Sequence, residues 1–270
     1  MPLAGWVALA GLLALSGLFA ALWWRSRRQA SRLRHRLEVA ALDLQRLQRS
    51  FAHFAPDALV ERIIARGLHG GGEYKEITVL FADLVGFTPL AERLEPGALL
   101  EVLNGYYERM SRAISDHQGY VSTLLGDGIL ALFGALEPNP WHANDAVHAA
   151  LAMRAELDDY NAELARRGLP TLALGIGLHR GSGVVGLVGS SEKQEFTLVG
   201  RTINVAARVS DLTRDHDGAD ILVTGDLRDV LAPQFVVHAL PPARLRGIRE
   251  PVPLFAVEGY HLDRASEAGP

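Results

Sequence analysis

Asp83 in LFADLVGFT and Asp127 in LLGDGILALFG each close an apolar run, are followed at once by a turn or a glycine, and stand on backgrounds otherwise free of charge. Carboxylates are hard oxygen donors. Converging, the two would suit a cation such as Mg²⁺, and metals held this way bind phosphate oxygens and activate an attacking oxygen. Alone, Asp127 reads as an ordinary hairpin aspartate, whereas Asp83 at the edge of a buried strand needs a partner. After Asp83 the chain runs Leu84, Val85, Gly86, Phe87, Thr88, Pro89. Thr88 fits an N-cap and Pro89 a first helical position, and free N–H groups at such a helix start suit a polyphosphate. In TLVGRTINVAARVSDLT, Asn204 and Arg208 lie four apart and share a helix face. Together they can stabilise charge developing on a transferring phosphoryl group; by themselves they also read as a solvated face.

The elements that must position these residues follow from hydrophobic periodicity. Ile77 to Ala82 reads as a strand, and Leu99, Val102, Leu103, Tyr106, Met110, Ala113 and Ile114 recur at helical spacing until Gly119. Tyr120 to Leu125 and Ile129 to Phe133 read as two strands about Gly126-Asp127-Gly128, an Asp-Gly hairpin signal. A helix from Trp141 to Arg167, stopped by Gly168 with Pro170 beyond it, comes next. Strands are expected at Leu172 to His179, Val184 to Val188 and Phe196 to Val199, then a helix from Thr202 to Leu212 and weaker strands near Ile221 to Thr224, Phe235 to His238 and Leu254 to Val257. Strand, helix, hairpin, helix, strand is the order of a ferredoxin-like α+β core, in which the first strand and the hairpin are neighbours. Gly181-Ser182-Gly183-Val184-Val185-Gly186 fits GxGxxG, but the following LVGSSEKQ has no helical periodicity, so a glycine-rich hairpin is expected there. No GxxxxGK[ST] or HExxH occurs.

Cysteine is absent, which excludes a disulfide framework, a thiolate nucleophile and cysteine-built metal centres. Six of the 27 basic residues lie between Arg25 and Arg36 with no acid among them, so an acidic body carries a basic collar, and nucleic acid is not an expected partner. Leu3 to Trp24 has no charge and at about 1.5 Å per residue is long enough for a hydrocarbon core of about 30 Å. Residues 1–24 are therefore read as a membrane helix, with Trp23 and Trp24 at the interface and the collar holding the rest of the chain in the cytoplasm. The alternative, a cleaved signal peptide, wants its charge before the apolar run and small residues after it. Leu33, Leu37, Ala40, Leu44, Leu47, Phe51 and Phe54 alternate in steps of four and three, the seam of a coiled-coil stalk within residues 25–55; one amphipathic helix on its own domain is the alternative. Residues 56–72 form a short helix and a GLHGGG linker, 73–260 one catalytic domain and 261–270 a tail.

FADLVGFT, LLGDGILALFG, EFTLVGRTINVAAR and RLRGIREPVPLFAV, in this order, resemble the class III nucleotidyl cyclases, the adenylate and guanylate cyclase family. The similarity runs from Ile77 to about Val257, and FAPDALVERIIARG extends it to the element that precedes the catalytic domain in bacterial members. The resemblance implies a head-to-tail homodimer with active sites at the interface. One chain gives Asp83, Asp127 and the Leu84 carbonyl to two Mg²⁺ or Mn²⁺ ions, with Gly86, Phe87 and Thr88 beside the phosphates. The other gives Asn204 to orient the ribose and Arg208 to stabilise the transition state; Arg246 stands where the family has a basic residue, usually lysine, for the triphosphate.

The departure is at the base. Adenylate cyclases of the family usually carry a lysine four residues before the hairpin aspartate and an aspartate or threonine before the Asn-Arg helix; here these positions are Thr123 and Thr197. Thr197 agrees and makes ATP the expected substrate. Thr123 lacks the long cationic donor, and hydroxyls both donate and accept, so altered base choice, GTP or a pyrimidine nucleotide, is the alternative. A further reading is a catalytically weak dimeric signalling module. The GGDEF-type hairpin of diguanylate cyclases is not what LLGDGIL shows. The expected location is the cytoplasmic (inner) membrane, with any signal entering through the membrane helix, the stalk or an unknown regulator.

Overall fold

In the computed structural model the described residues are 72–190, 193–216 and 218–261, with 23–25, 27, 42 and 59. The proposed membrane helix, stalk and linker lie almost wholly outside them. Among the described residues no helix is long and apolar enough to cross a membrane. The account below concerns the unit that spans residues 61–270.

Strand β1 (Glu73–Leu84) is followed by a short helix α1 (Phe87–Ala91), a long helix α2 (Pro96–Asp116), the hairpin β2 (Gly119–Leu125) and β3 (Gly128–Phe133), and helix α3 (His142–Arg166). Then come β4 (Leu174–Gly189), β5 (Gln194–Val199), α4 (Arg201–Asp211) with a 3-10 turn over Leu212–Asp215, β6 (Ile221–Thr224), α5 (Gly225–Arg228), β7 (Phe235–Ala243) and β8 (Val252–Tyr260). The strand order is β2-β3-β1-β4-β6-β8-β7, with β5 on β4. Its first four strands, with α2 and α3, are the ferredoxin-like core expected from the sequence, and β6, β8 and β7 extend it.

The sheet is buried on both faces, so β1 has no polar alternation over Ile77 to Leu80. Leu80, Ala82 and Leu84 point into the larger core with Tyr106 and Met110 of α2 and Ala146, Val147 and Met153 of α3. Successive strand residues face opposite ways, so Asp83 points to the other side, where α4 and its turn lie. Leu222 and Leu254 meet Val205 and Val209 of α4 in a second, smaller core on that side. Helix α3 ends as the sequence indicates: Gly168 has φ +68°, and the amides of Gly168 and Leu169 donate to the carbonyls of Ala165 and Leu164 at 3.1 and 2.9 Å, a Schellman closure.

The expected hairpin at 181–186 is not there: β4 is one continuous strand of 16 residues. Its glycines make room rather than turns. A Cβ on Gly177 would lie 2.1 Å from the Ser210 nitrogen and 2.4 Å from the Ala206 oxygen, and one on Gly175 or Gly181 would strike Thr213 or Thr202. The backbone of α4 therefore rests directly on β4. Gly177→Ala must push that helix off the sheet, because the atoms it meets are backbone. The expected cost is about 2 kcal/mol, a melting temperature lower by about 4–8 °C in a thermal unfolding scan.

Candidate active site

Asp83 and Asp127 do converge. Ala82 of β1 is opposite Ile129 of β3, so the next step places Asp83 opposite Gly128, beside Asp127. A Cβ on Gly128 would lie 3.5 Å from Asp83 Oδ1, so the start of β3 lies against the carboxylate. Burial and the neighbouring Asp127 charge raise the Asp83 pKa above the usual carboxylate range, against the opposing pull of the Arg214 guanidinium. Arg214 Nη2 donates to Asp83 Oδ2 at 2.6 Å. The hairpin turns at Gly126, whose φ is +67°, and its carbonyl accepts the Tyr107 hydroxyl, which ties the Asp127 turn to α2. Behind the pair the Tyr106 hydroxyl is buried without a hydrogen-bond partner, and its pKa is raised first by burial and then by charges that include both aspartates. Among the described residues no group of three His, Cys, Asp or Glu side chains could hold a metal ion. The donor set is therefore two half-buried carboxylates and backbone oxygens, which fits a hard divalent cation. The Leu84 side chain is buried in the core, which leaves only its backbone to contribute.

The helix start at Thr88 is corrected. Helix α1 begins at Phe87, and its N-cap is Gly86, at φ 70° and ψ 26°, with no side-chain cap. A left-handed residue turns the chain two positions earlier than a Thr88 cap allows, and it suits glycine. Thr88 and Pro89 are inside a helix of five residues, too short to supply the anion site expected of them. Gly128, expected in the hairpin loop, is instead the first residue of β3.

The remaining residues fall in two further groups. Asn204 is exposed and Arg208 half-buried on α4, and a Cβ on Gly247 would lie 3.8 Å from Arg208 Nη1. The loop that carries Arg246 thus runs beside Arg208, anchored by Leu245, which is buried with Val205 and Val209. Arg246 itself is exposed. Neither Asn204 nor Arg208 forms a hydrogen bond or ion pair with Asp83 or Asp127. The third group joins β2 to β5. Past a bulge between Val121 and Thr123, Ser122 donates to the Phe196 carbonyl at 2.9 Å and Thr123 Oγ1 to Glu195 Oε2 at 3.3 Å. Glu195 lies two positions before Thr197 and shares its face of β5; its other oxygen, Oε1, is 3.4 Å from Lys193 Nζ. Glu195 and Arg214 were not singled out by the sequence. Glu195 opens the EFTLVGRTINVAAR segment and Arg214 lies just beyond the Asn-Arg helix, but each reaches its partner across a long stretch of chain.

Residues 71–259 match the family described as adenylate and guanylate cyclase catalytic domain. An adenylate cyclase of Anabaena cylindrica is 30% identical over 233 residues, covering 82% of this chain and 45% of the relative. Adenylate cyclase 1 of Rhizobium meliloti is 29% identical over 223 residues, 82% of this chain and 33% of that one. This chain thus spans less than half the length of either relative. Among solved structures, the guanylyl cyclase Cya2 matches with a TM-score of 0.65 at 30% identity, over 72% of this chain and 98% of that one. The adenylyl cyclase CyaB from P. aeruginosa matches with a TM-score of 0.67 at 26% identity, over 71% and 98%. The paired strand-end carboxylates, the Asn-Arg helix and the match across most of its length agree: this chain belongs to the class III adenylate and guanylate cyclases.

Proposed function

We propose that the chain is a membrane-anchored adenylate cyclase that converts ATP to 3′,5′-cyclic AMP and pyrophosphate. The observation that carries this reading is the meeting of Asp83 and Asp127 at adjoining strand ends, in a fold shared with nucleotide cyclases. The adenylate cyclases of Anabaena and Rhizobium, together with Thr197, favour adenine as the base. Asp83 and Asp127, with the Leu84 carbonyl, would hold Mg²⁺ or Mn²⁺, two per site. When bound, the cations supply Lewis acidity toward the ribose 3′-hydroxyl and the phosphates. The 3′-oxygen, giving its proton to solvent, bonds to the α-phosphorus as the bond to the departing pyrophosphate breaks. Asn204 orients the ribose, Arg208 meets the negative charge that grows on the α-phosphate oxygens, and Arg246 binds the triphosphate.

The active unit is a homodimer in this reading, with the carboxylates of one chain facing the Asn-Arg helix of the other. Support comes from the exposed apolar side chains Val184 and Val199, opposite each other on β4 and β5, and Val188 on the same face of β4, apolar exposure of the kind that marks an interface. Residues 3–24 anchor the chain in the cytoplasmic membrane with its catalytic part in the cytoplasm, and the stalk pairs two copies.

The Thr123–Glu195 hydrogen bond favours a second reading, a guanylate cyclase. It brings a carboxylate to the threonine that stands where adenine-reading members carry lysine. Guanine offers that carboxylate the N1–H and N2–H donors, whereas adenine offers only its amino group and an acceptor at N1. The test incubates the full chain with Mn²⁺ or Mg²⁺ and each of ATP, GTP, CTP and UTP, with mass spectrometry of the cyclic products. Cyclic AMP in excess is expected. Cyclic GMP in excess assigns base choice to Glu195, and no cyclic product from a dimeric chain overturns both readings in favour of a signalling module.

A further inference from the structure

Arg214 lies in the 3-10 turn after α4 and has no place in the mechanism above. Its Nη2 nevertheless sits 2.6 Å from Asp83 Oδ2, a charge-assisted contact to the carboxylate that the proposed function gives to the cation. The two oxygens of Asp83 are thereby divided: Oδ1 faces the start of β3 and the Asp127 turn, while Oδ2 faces the guanidinium. Asp127 and Asp211 both add negative potential at Asp83. A positive charge here is thus stabilising, and a tethered one is always at hand. A divalent cation on the same carboxylate would be repelled by a guanidinium at this distance.

We propose that Arg214 is a tethered counter-cation of the metal site, bound to Asp83 Oδ2 in the metal-free chain and displaced from it when a divalent cation binds. The construction of the turn suits this exchange. Thr213, next to Arg214, is buried, and its hydroxyl donates to the Ser210 carbonyl at 2.7 Å, so the backbone stays fixed. The Arg214 side chain is 48% exposed, so it can leave Oδ2 for solvent without disturbing the core. Metal binding is then an exchange of cations, and Arg214 sets how much free metal the site requires. The inference rests on the assignment of Asp83 to a metal.

The test measures Mn²⁺ alone, without nucleotide, binding to the full chain, with free Mn²⁺ read by electron paramagnetic resonance. Arg214→Met removes the charge and keeps most of the length; it should bind Mn²⁺ about two- to fivefold more tightly than the wild type, the scale set by a partly exposed ion pair. Arg214→Lys keeps the charge and should stay near the wild type. Unchanged or weaker binding by Arg214→Met overturns the proposal, the latter because it would make Arg214 a support for the ligand geometry. An Arg214→Lys that gains as much as Arg214→Met also overturns it, since charge would not be the cause. Thermal unfolding checks each variant, and Arg214→Gln, of the same expected sign, stands in if the methionine variant does not fold. Asp83→Asn separates the two levels: if it leaves Mn²⁺ binding intact, the metal assignment itself falls, whatever Arg214 does.

Discussion

Asp83→Asn is expected to abolish turnover and, in metal-free buffer, to raise the melting temperature. The two effects share one cause. In the folded chain burial and the Asp127 charge hold the Asp83 pKa above its ordinary value, so the fold binds this proton more tightly than the unfolded chain does. Stability from that proton is present in full below the unfolded pKa of about 3.9 and is lost as pH rises through the raised folded pKa. At neutral pH the ionised side chain therefore works against the fold, even with Arg214 beside it. Asparagine fills the same space without the charge. The melting temperatures of the two proteins should coincide near pH 4 and separate as pH rises, with the asparagine variant higher, in buffer containing a chelator. Turnover should fall by roughly a thousandfold or more, because a metal contributes several kcal/mol to the transition state and each 1.36 kcal/mol is tenfold in rate. Turnover kept within tenfold, or a variant that melts lower at neutral pH, would remove Asp83 from the metal site or the charge repulsion from the account.

How far the sequence carried the fold depends on what each residue was there for. The core strands and helices were legible because each buries a face, and the hydrophobic periods of α2 and α3 report that directly. The meeting of Asp83 with Asp127 followed once strand order put the hairpin next to β1. Glycine was the misleading residue. In β4 the spacing of Gly181, Gly183 and Gly186 looks like turn chemistry, yet Gly177 and Gly181 serve the close approach of α4, which no local pattern reveals. At Gly86 the error ran the other way: a left-handed glycine set the helix start while Thr88 and Pro89 resembled a cap. The contacts of Arg214 with Asp83 and of Glu195 with Thr123 span 131 and 72 residues. Long-range side-chain contacts leave no periodic trace, so these two side chains appear only when the chain is folded.

The same distinction between residues that hold the fold and residues that await a ligand governs Arg208. Its guanidinium lies beside the Gly247 loop, and no ion pair ties it to a carboxylate among the described residues. A cation left unpaired on a half-buried helix face contributes little to folding, so Arg208→Ala should melt close to the wild type. Its catalytic effect should be large. Negative charge on the α-phosphate oxygens is greatest in the transition state, so an arginine aimed there lowers kcat far more than it raises KM. The expected loss is about a hundred- to thousandfold in kcat, the cost of removing one such donor, with KM changed by no more than about threefold. Arg208→Lys should recover only part of it, because an ammonium lacks the planar fork that meets two oxygens at once. Steady-state kinetics with ATP and Mn²⁺ separate the two constants; a rise in KM with kcat unchanged would make Arg208 a ground-state phosphate anchor. Mixing then tests whose arginine it is. If each site takes Asp83 from one chain and Arg208 from the other, Asp83→Asn and Arg208→Ala chains exchanged into heterodimers form one site with both defects and one intact, so the mixture should regain about a quarter of wild-type activity. If both residues of a site came from the same chain, no mixture of the two variants could hold an intact site, and activity would stay at the level of the separate variants.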